Sequence, residues 1–528
     1  MTPFGRGSTA TPRAAAGWVV FHPILWALQP IAFLYARAVH EVSAVDILAP
    51  IGAALAGAVL TWAAATMILR RDFRKGACLS SVLLVLFFSF GRVVGLADRF
   101  FEATGLWPNL EHMHLATRTL SLQAFVLAVF AVVIVGMIVR LGRRKPLSEK
   151  ITPLMAHMAA VLLVVSTVEI ALGFLAVRRP QAPPAAPPAA SRTGQDHLPD
   201  IYIIVVDAYA RADVLKECYG FENGPFLAAL SDLGFAVTTR SSANYPLTFL
   251  SLASALNMTS LENLAREAGP RSRSQKKAQN MIRNNGVMAF LKGRGYRTIH
   301  LASAWAGTRA NPYADEVRTD HVRVMDDDFT RALVDTSLLV LYDSRWLEDM
   351  ALFYREQFTR LEEMAAEPGP KMVFCHFLLP HHPYVFDRNG AVVSNGSFVD
   401  NLLFRKAQWR RSDAYVEQLV FLNARLLEAF RSILAASPAP PVVVLFSDHG
   451  PLAATPDAEA AKRAQLDNLI AAFLPGAPAD LLPDDIRLIN LFPVVLNHYF
   501  DAGFAMQDGT RFYSTFKRPY ALEPLDPK

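Results

Sequence analysis

The sequence predicts a protein in two parts: an N-terminal α-helical membrane domain with five transmembrane helices, and an α/β domain with a mostly parallel sheet covered by helices. Three observations predict this fold class. Five long apolar stretches fill the first third of the chain, a Pro/Ala-rich run follows them, and apolar β-rich runs then alternate with amphipathic helical stretches. The chain has 528 residues, of which 52% are hydrophobic, so both parts fit within it.

The membrane helices are predicted from length and composition. A bilayer core requires about 20 consecutive, mostly apolar residues in helical form. Five stretches meet this requirement, at residues 17–37, 45–69, 77–97, 120–141 and 152–177.

The charges of the loops predict the orientation of these helices. Arg6 and Arg13 precede the first stretch, basic residues at 70–75 follow the second, and Arg140 with residues 143–145 follows the fourth. The other two loops carry few basic residues or an excess of acidic ones. Because Lys and Arg accumulate in cytoplasmic loops, the N-terminus is predicted inside and everything after residue 177 outside.

The predicted domains are a cytoplasmic N-terminus at 1–16, the membrane domain at 17–177, a linker at 178–199 and the extracytoplasmic domain at 200–528. The linker contains a run that starts at Pro180 and is too rich in Pro and Ala for helix or sheet. The formal net charge of +5 comes from basic residues near the membrane segments, so nucleic acid is not a predicted partner. The three cysteines, Cys78, Cys218 and Cys375, are far apart and predict no disulfide or zinc knuckle.

The soluble half contains five strand candidates, at 201–206, 235–239, 296–302, 372–378 and 442–446. Helices are predicted between them, for example at 281–294, 347–365 and 412–434. Strands this apolar are buried on both faces, which predicts a mostly parallel sheet with helices on both sides. Ligands bind at the carboxyl ends of the strands in such sheets.

The residues at these strand ends suit a metal-assisted reaction. Asp207 ends the first strand, Asp448 and His449 end the last, and Thr248 is predicted to begin a helix after the second. Asp207, Thr248, Asp448 and His449 together could bind one divalent cation. The mixed O and N ligands favour Zn²⁺ or Mn²⁺, and Mg²⁺ remains an alternative. The oligomeric state is not indicated.

Thr248 is the predicted nucleophile. A hydroxyl at a helix N-terminus lies in a positive dipole field beside free N–H groups, which suits attack on an anionic phosphorus centre. The expected reaction is an in-line displacement through a phosphothreonine intermediate. His381 is placed to hold a phosphoryl oxygen or to act as an acid or base on the alcohol.

Ordinary structural roles compete with these assignments. Asp207 and Thr248 are each also compatible with a helix N-cap, and Asp448 with His449 is compatible with a surface turn. Rival hydroxyls to Thr248 lie within the same predicted helix, at Ser251 and Ser254.

The histidines near the third strand end remain ambiguous. His381 and His382 compete for the substrate-binding role, and His376, inside the strand, is interpreted as a core histidine with satisfied hydrogen bonds. A pocket for an anionic substrate is a weaker hypothesis, with candidate lining residues Arg211, Trp305 and Arg309.

At these motifs the sequence resembles the alkaline phosphatase/sulfatase superfamily. More narrowly, it is similar to the membrane-anchored branch with lipoteichoic acid synthases, phosphoglycerol transferases and lipid A phosphoethanolamine transferases. The resemblance covers about residues 200–500. It places the acidic ligand at Asp207, where the branch often has Glu, the nucleophile at Thr248, the metal motif at Asp448-His449-Gly450 and the substrate-binding histidine at His381.

The resemblance implies an enzyme of a bacterial inner or plasma membrane with a periplasmic or extracellular catalytic domain. It would move a phosphoglycerol or phosphoethanolamine headgroup from a membrane phospholipid donor to an envelope glycan or lipid acceptor. The Cys-x-Pro-x-Arg context of formylglycine sulfatases does not surround Thr248, which disfavours sulfate-ester hydrolysis. Two alternatives remain: a sulfatase-like hydrolase of phosphate, sulfate or phosphonate esters that uses water as second acceptor, and a non-catalytic scaffold for envelope assembly.

Overall fold

The computed structural model describes residues 17–39, 42, 44–104, 106, 115–143, 145–177, 198–318, 328–341, 346–393, 412–452 and 457–525. The predicted cytoplasmic terminus at 1–16 and most of the predicted linker at 178–199 lie outside these residues. Five helices in the N-terminal part are long and apolar enough to cross a membrane. Their bounds are α1 His22–Ala38, α2 Leu48–Ile68, α3 Phe73–Thr104, α4 Leu115–Arg143 and α5 Lys145–Val177.

Helix α3 packs against each of the other four membrane helices. Polar side chains join neighbouring helices: His22 Nδ1 lies 2.6 Å from the Ser81 hydroxyl, and Cys78 Sγ lies 3.2 Å from the Thr152 hydroxyl. At Gly76 a Cβ atom would collide with Thr66, so this glycine permits the close approach of α2 and α3. Small residues and interhelical hydrogen bonds are the usual basis of helix packing in lipid.

The segment Phe329–Tyr342 groups by its contacts with the membrane helices, although it lies far along the chain. It contains the helix α12 (Asp328–Thr336). The ring of Phe329 packs edge-on against Tyr35 at 6.3 Å, and the backbone of Asp335 occupies the space that a side chain at Gly91 would fill. No pattern in the sequence indicated this packing.

The remainder of the described chain forms a second compact unit around a seven-stranded sheet. The strand order is β2-β7-β6-β1-β5-β3-β4, and β6, β1, β5, β3 and β4 are parallel, which confirms the predicted mostly parallel sheet. Strands β2 and β7 pair antiparallel at one edge. The bounds are β1 Ile201–Asp207, β2 Phe235–Val237, β3 Arg297–Leu301, β4 Glu316–Arg318, β5 Lys371–Pro380, β6 Val442–Ser447 and β7 Ile470–Phe473.

The sequence did not predict β4, β7 or the separate hairpin of β8 (Phe512–Thr515) and β9 (Arg518–Pro524). These are short or edge elements with little apolar periodicity. The central strands β1 and β6 were predicted because they are buried along their whole length.

Helices cover both faces of the sheet. The first group is α6 Ala212–Tyr219, α7 Gly224–Asp232, α8 Thr248–Asn257 and α9 Glu262–Ala268, and the last is α13 Trp346–Glu363, α14 Ser412–Ala436, α15 Ala458–Ala464 and α16 Leu491–Phe500. The predicted single helix at 281–294 is wrong. The chain forms α10 (Lys276–Arg283) and α11 (Gly286–Gly293), because Asn285 leaves the helical conformation and caps α11 by accepting a hydrogen bond from the Met288 N–H at 2.8 Å.

The predicted orientation of the five helices can be tested by cysteine labelling in intact cells. In a Cys218→Ala background the remaining cysteines, Cys78 and Cys375, are buried. We expect Ser191→Cys, in the predicted outer linker, to react with a membrane-impermeant maleimide. The matched substitution Ser8→Cys should react only after the membrane is permeabilised with detergent. If Ser8→Cys were labelled in intact cells and Ser191→Cys were protected, the orientation of the helices would be opposite to the predicted one.

Candidate metal and nucleophile site

Two neighbouring strands bring three potential ligands to one edge of the sheet. β1 ends at Asp207, and β6, its parallel neighbour, leads into Asp448 and His449. One ligand atom from each of these side chains lies within 4.8 Å of the other two. All three are buried, with exposed fractions of 5%, 0% and 7%. A surface turn, the alternative interpretation of Asp448 and His449, does not describe this arrangement.

Hydrogen bonding selects one tautomer of His449. Its Nδ1 lies 2.7 Å from the carbonyl oxygen of Gly450, to which it can only donate. The proton is therefore on Nδ1, and the lone pair of Nε2 faces the site. Nε2 lies 3.3 Å from Asp448 Oδ2 and 3.1 Å from Thr248 Oγ1. A backbone carbonyl commonly holds a metal-binding histidine in this way.

Thr248 is the first residue of α8, as the sequence predicted. Leu247, not Thr248, occupies the N-cap position, so the threonine hydroxyl does not serve as the cap. Every residue from 241 to 250 is buried except Thr248, which is partly exposed. This hydroxyl is therefore accessible to a substrate at the helix N-terminus, where the dipole favours negative charge.

The rival hydroxyls are engaged elsewhere. Ser251 donates to the carbonyl of Asp448 at 2.5 Å, and Ser254 donates to the carbonyl of Thr259 at 2.7 Å. The bond from Ser251 ties α8 to the loop that carries Asp448. It follows that Ser251 supports the position of the site, while Thr248 faces it.

Two carboxylate oxygens at this edge are buried and accept no hydrogen bond from the described residues: Asp207 Oδ1 and Asp448 Oδ2. Buried polar atoms are nearly always satisfied, so such a pair calls for a partner. Burial and the adjacent Asp448 charge raise the pKa of Asp207 well above its ordinary value. A divalent cation would satisfy both oxygens and remove this penalty, so Asp207, Thr248, Asp448 and His449 fit a metal ion.

His376 lies closer to the candidate ligands than its interpretation as a core histidine with satisfied hydrogen bonds implied. It lies within β5 and is fully buried, as expected for a core histidine, and its Nδ1 is 2.9 Å from the Thr308 hydroxyl. Its Nε2, however, has no hydrogen-bond partner in the described chain and lies 3.9 Å from Asp207 Oδ2. Burial lowers the pKa of His376 to about 4, so the ring is neutral. Its position on the strand next to the Asp207 strand was the available signal.

His381 is tied to the site through the backbone. The register between β1 and β5 shifts after Val206, and the His381 N–H donates to the Asp207 carbonyl at 3.2 Å. His381 and His382 are both half-buried, and their rings lie 4.2 Å apart. The structure thus places both histidines beside the metal-ligand strand.

The predicted pocket residues have other partners. The Arg211 guanidinium binds Asp213 and Asp467 at 2.6 and 3.0 Å. Trp305 packs edge-on against His376 at 6.0 Å, which brings its indole close to the site. Arg309 donates to the carbonyl of Ala304. Arg211 therefore has a structural ion-pairing role.

Asp207 does not cap a helix. Ala208 follows it with φ of +58°, and the next helix, α6, begins only at Ala212. The Ala208 N–H donates to Asp448 Oδ1 at 3.1 Å. The turn after β1 thus connects the two candidate carboxylate ligands.

No family model and no curated protein matches the chain. Solved structures do match the chain. The C-terminal periplasmic domain of EptC from Escherichia coli shares 15% identity with it, over 64% of this chain and 97% of that chain, with a TM-score of 0.42. Another structure of that domain is a complex with Zn.

A second solved structure is the integral membrane lipooligosaccharide phosphoethanolamine transferase A from Neisseria meningitidis. It shares 12% identity over 87% of this chain and 88% of that chain, with a TM-score of 0.38. A third is a protein in the alkaline phosphatase superfamily from Vibrio parahaemolyticus, with 13% identity over 65% and 80% and a TM-score of 0.38.

The solved structures found are of the kind that the sequence motifs resemble. At such identities and TM-scores, however, they establish neither the reaction nor the substrate of this chain.

The glycine after His449 has no space for a side chain. A Cβ atom at Gly450 would meet the carbonyl oxygens of Ala464 and Asp467, and the Gly450 N–H donates to the Gln465 carbonyl at 2.9 Å. We expect Gly450→Ala to destabilise the fold by about 1–3 kcal/mol. It should also weaken metal binding, because the Gly450 carbonyl orients His449.

The measurement is thermal unfolding of the full-length chain in detergent, with and without added Zn²⁺ or Mn²⁺. The control is Gly224→Ala, where an added Cβ meets nothing within 4 Å. Equal melting temperatures and equal metal effects for the two variants would contradict the expectation.

The raised pKa of Asp207 predicts how stability varies with pH in metal-free protein. Because the folded state retains the Asp207 proton above the ordinary carboxyl pKa, stability falls as pH rises from that value through the folded pKa. Asp207→Asn should remove this loss and raise the melting temperature in EDTA near neutral pH, while abolishing stabilisation by added metal.

Melting curves in EDTA between pH 4 and 8 test this expectation in the full-length chain. Asp232→Asn, at an exposed aspartate, controls for loss of one negative charge. A lower melting temperature for Asp207→Asn in EDTA would mean that the fold already stabilises the ionised carboxylate without a cation.

Proposed function

We propose that this chain is a metal-dependent membrane phosphotransferase that moves a phospholipid headgroup to an envelope glycan or lipid. One observation carries the proposal: the partly exposed hydroxyl of Thr248, at the first residue of α8, lies 3.1 Å from Nε2 of His449 and beside two buried carboxylates. This arrangement combines a nucleophile, an electrostatic site for anions and a set of metal ligands.

Asp207, Thr248, Asp448 and His449 would hold the cation, Zn²⁺ or Mn²⁺ by their mixed oxygen and nitrogen donors, with Mg²⁺ as the alternative. When bound, the ion lowers the pKa of the Thr248 hydroxyl and neutralises charge on the phosphoryl group. The tautomer of His449 suits this role, because its Nε2 lone pair faces the other ligands.

In the first step, Thr248 Oγ1 attacks the phosphorus of the donor phosphodiester. The Thr248 proton passes to water, the bond from phosphorus to the diacylglycerol oxygen breaks, and His381 gives a proton to that oxygen. The headgroup remains on Thr248 as a phosphothreonine diester. The N-terminus of α8 favours the negative charge that develops there.

In the second step, His381 takes the proton of the acceptor hydroxyl, whose oxygen attacks the same phosphorus. The bond to Thr248 Oγ1 breaks, and the threonine oxygen regains a proton from water. The product is a phosphodiester on the acceptor, with Thr248 and His381 restored to their starting states. His382 would take the same role if it, and not His381, faces the substrate.

The lipid donor is favoured by the membrane helices. Five helices able to span a bilayer tether the site to the phase in which phospholipids reside. A phosphoglycerol or phosphoethanolamine headgroup satisfies the requirement for an anionic phosphodiester. An acceptor on an envelope glycan or lipid fits the predicted extracytoplasmic location of the site.

The proposal is tested by mass spectrometry on the full-length chain in phospholipid nanodiscs with Mn²⁺ or Zn²⁺. We expect an adduct on the peptide that contains Thr248, with a mass that identifies the headgroup. Thr248→Ala should lose the adduct and reduce transfer by a factor on the order of 10³ or more. Thr248→Ser should retain part of both, because it keeps the hydroxyl.

Thr239→Ala is the matched control, since the Thr239 hydroxyl donates to Asp484 away from the site. An adduct that is released only to water, even with acceptor lipids or glycans present, would favour a hydrolase. A metal-bound chain that stays unmodified with every lipid, and whose cellular phenotype survives Thr248→Ala, would favour an assembly scaffold.

A further inference from the structure

The turn after β1 holds a residue with a side chain in a conformation that favours glycine. Ala208 has φ of +58° and is fully buried. Left-handed backbone is unfavourable for residues with a Cβ atom and persists only where surrounding contacts enforce it. Ala208 directly follows Asp207, and its N–H donates to Asp448 Oδ1. The peptide group between Asp207 and Ala208 therefore links the two carboxylate residues.

One buried side chain, on helix α14, forms two hydrogen bonds with the backbone of this turn. The hydroxyl of Tyr415, in α14, donates to the Ala208 carbonyl at 2.9 Å and accepts a hydrogen bond from the Ala210 N–H at 3.1 Å. Tyr415 is 1% exposed, and its ring packs against Tyr219 at 4.7 Å. Burial raises the pKa of Tyr415 well above its ordinary value, so the phenol keeps the proton that it donates.

The neighbouring residue, Tyr209, is held by separate hydrogen bonds. The Tyr209 N–H donates to the Ser447 hydroxyl at 2.8 Å, and the Tyr209 phenol donates to Asn423 at 2.6 Å. Tyr209 is thus fixed on one side of Ala208, and Asp207, in the sheet, is fixed on the other. Tyr415 binds the carbonyl of the peptide group between Ala208 and Tyr209.

We propose that Tyr415 is a positioning residue for the metal centre: its hydroxyl holds Ala208 in the left-handed conformation and thereby orients Asp207 and Asp448 toward a shared cation. This inference rests on the metal site of the proposed function. Without the hydroxyl, the Ala208 carbonyl and the Ala210 N–H lose a buried partner, and the turn relaxes toward ordinary backbone angles. The carboxylates then no longer converge.

The test measures affinity for Zn²⁺ and for Mn²⁺ by titration of the full-length chain in detergent. We expect Tyr415→Phe to weaken binding by about 10–100-fold, the usual effect of removing a group that orients metal ligands. Adding Ala208→Gly to Tyr415→Phe should recover roughly tenfold, because glycine adopts positive φ without the penalty of a Cβ atom.

Tyr296→Phe is the matched control. It removes another buried tyrosine hydroxyl, which donates to the Pro199 carbonyl at 2.7 Å away from the site. Its metal affinity should equal that of the wild type, whatever its melting temperature. The rescue by glycine separates positioning from general destabilisation, since the double variant lacks the same hydroxyl.

Three results would overturn the inference. Tyr415→Phe with wild-type metal affinity would show that the turn does not need the hydroxyl. Loss of affinity without recovery by Ala208→Gly would show that the Tyr415 hydroxyl does not act through the conformation of Ala208. A wild-type chain that binds neither metal would overturn the metal centre itself, and with it both proposals.

Discussion

The proximity of two buried carboxylates is the constraint on which the site depends. Asp207 and Asp448 end adjacent strands, both are withdrawn from water, and burial together with the Asp448 charge raises the pKa of Asp207. Such a pair is tolerated only where donors or a cation compensate it. The Ala208 N–H supplies part of that compensation, and a divalent ion would supply the rest. The two buried carboxylates thus lower the free energy of unfolding in the absence of metal, and the same two carboxylates would bind the cation.

The same constraint explains why the nucleophile lies on a helix N-terminus. A phosphodiester donor brings further negative charge to an edge that already carries two carboxylates. In the proposed reaction the positive end of α8 and the cation would together reverse the local field, so that an anionic phosphorus centre could approach Thr248. Ser251 contributes from the same helix, because its bond to the Asp448 carbonyl keeps α8 in register with β6.

The fold class, the central strands and the start of α8 could be predicted because each follows from local sequence: long apolar runs, fully buried strands and a threonine before a helical pattern. The site candidates followed from one topological rule, that parallel strands end at the same edge of a sheet. The position of His376 near the site could have been inferred from its strand, which pairs with β1, whereas the contacts of Tyr415 could not, because they join a helix and a turn that are remote in sequence. The packing of Phe329–Tyr342 with the membrane helices has the same origin, since no local pattern encodes which surface an amphipathic segment covers.

The aspartate at position 207 gives the turn after it more influence than a glutamate would. The side chain of aspartate is one methylene shorter, so its carboxylate lies closer to the main chain and has fewer rotamers with which to adjust. Its position is therefore determined mainly by the backbone angles at the end of β1, where the register shifts and Ala208 turns left-handed. At the proposed metal site the geometry of the ligands would consequently depend on the backbone. The residues that hold that backbone, Tyr415 foremost, would then contribute to the site without contacting the cation.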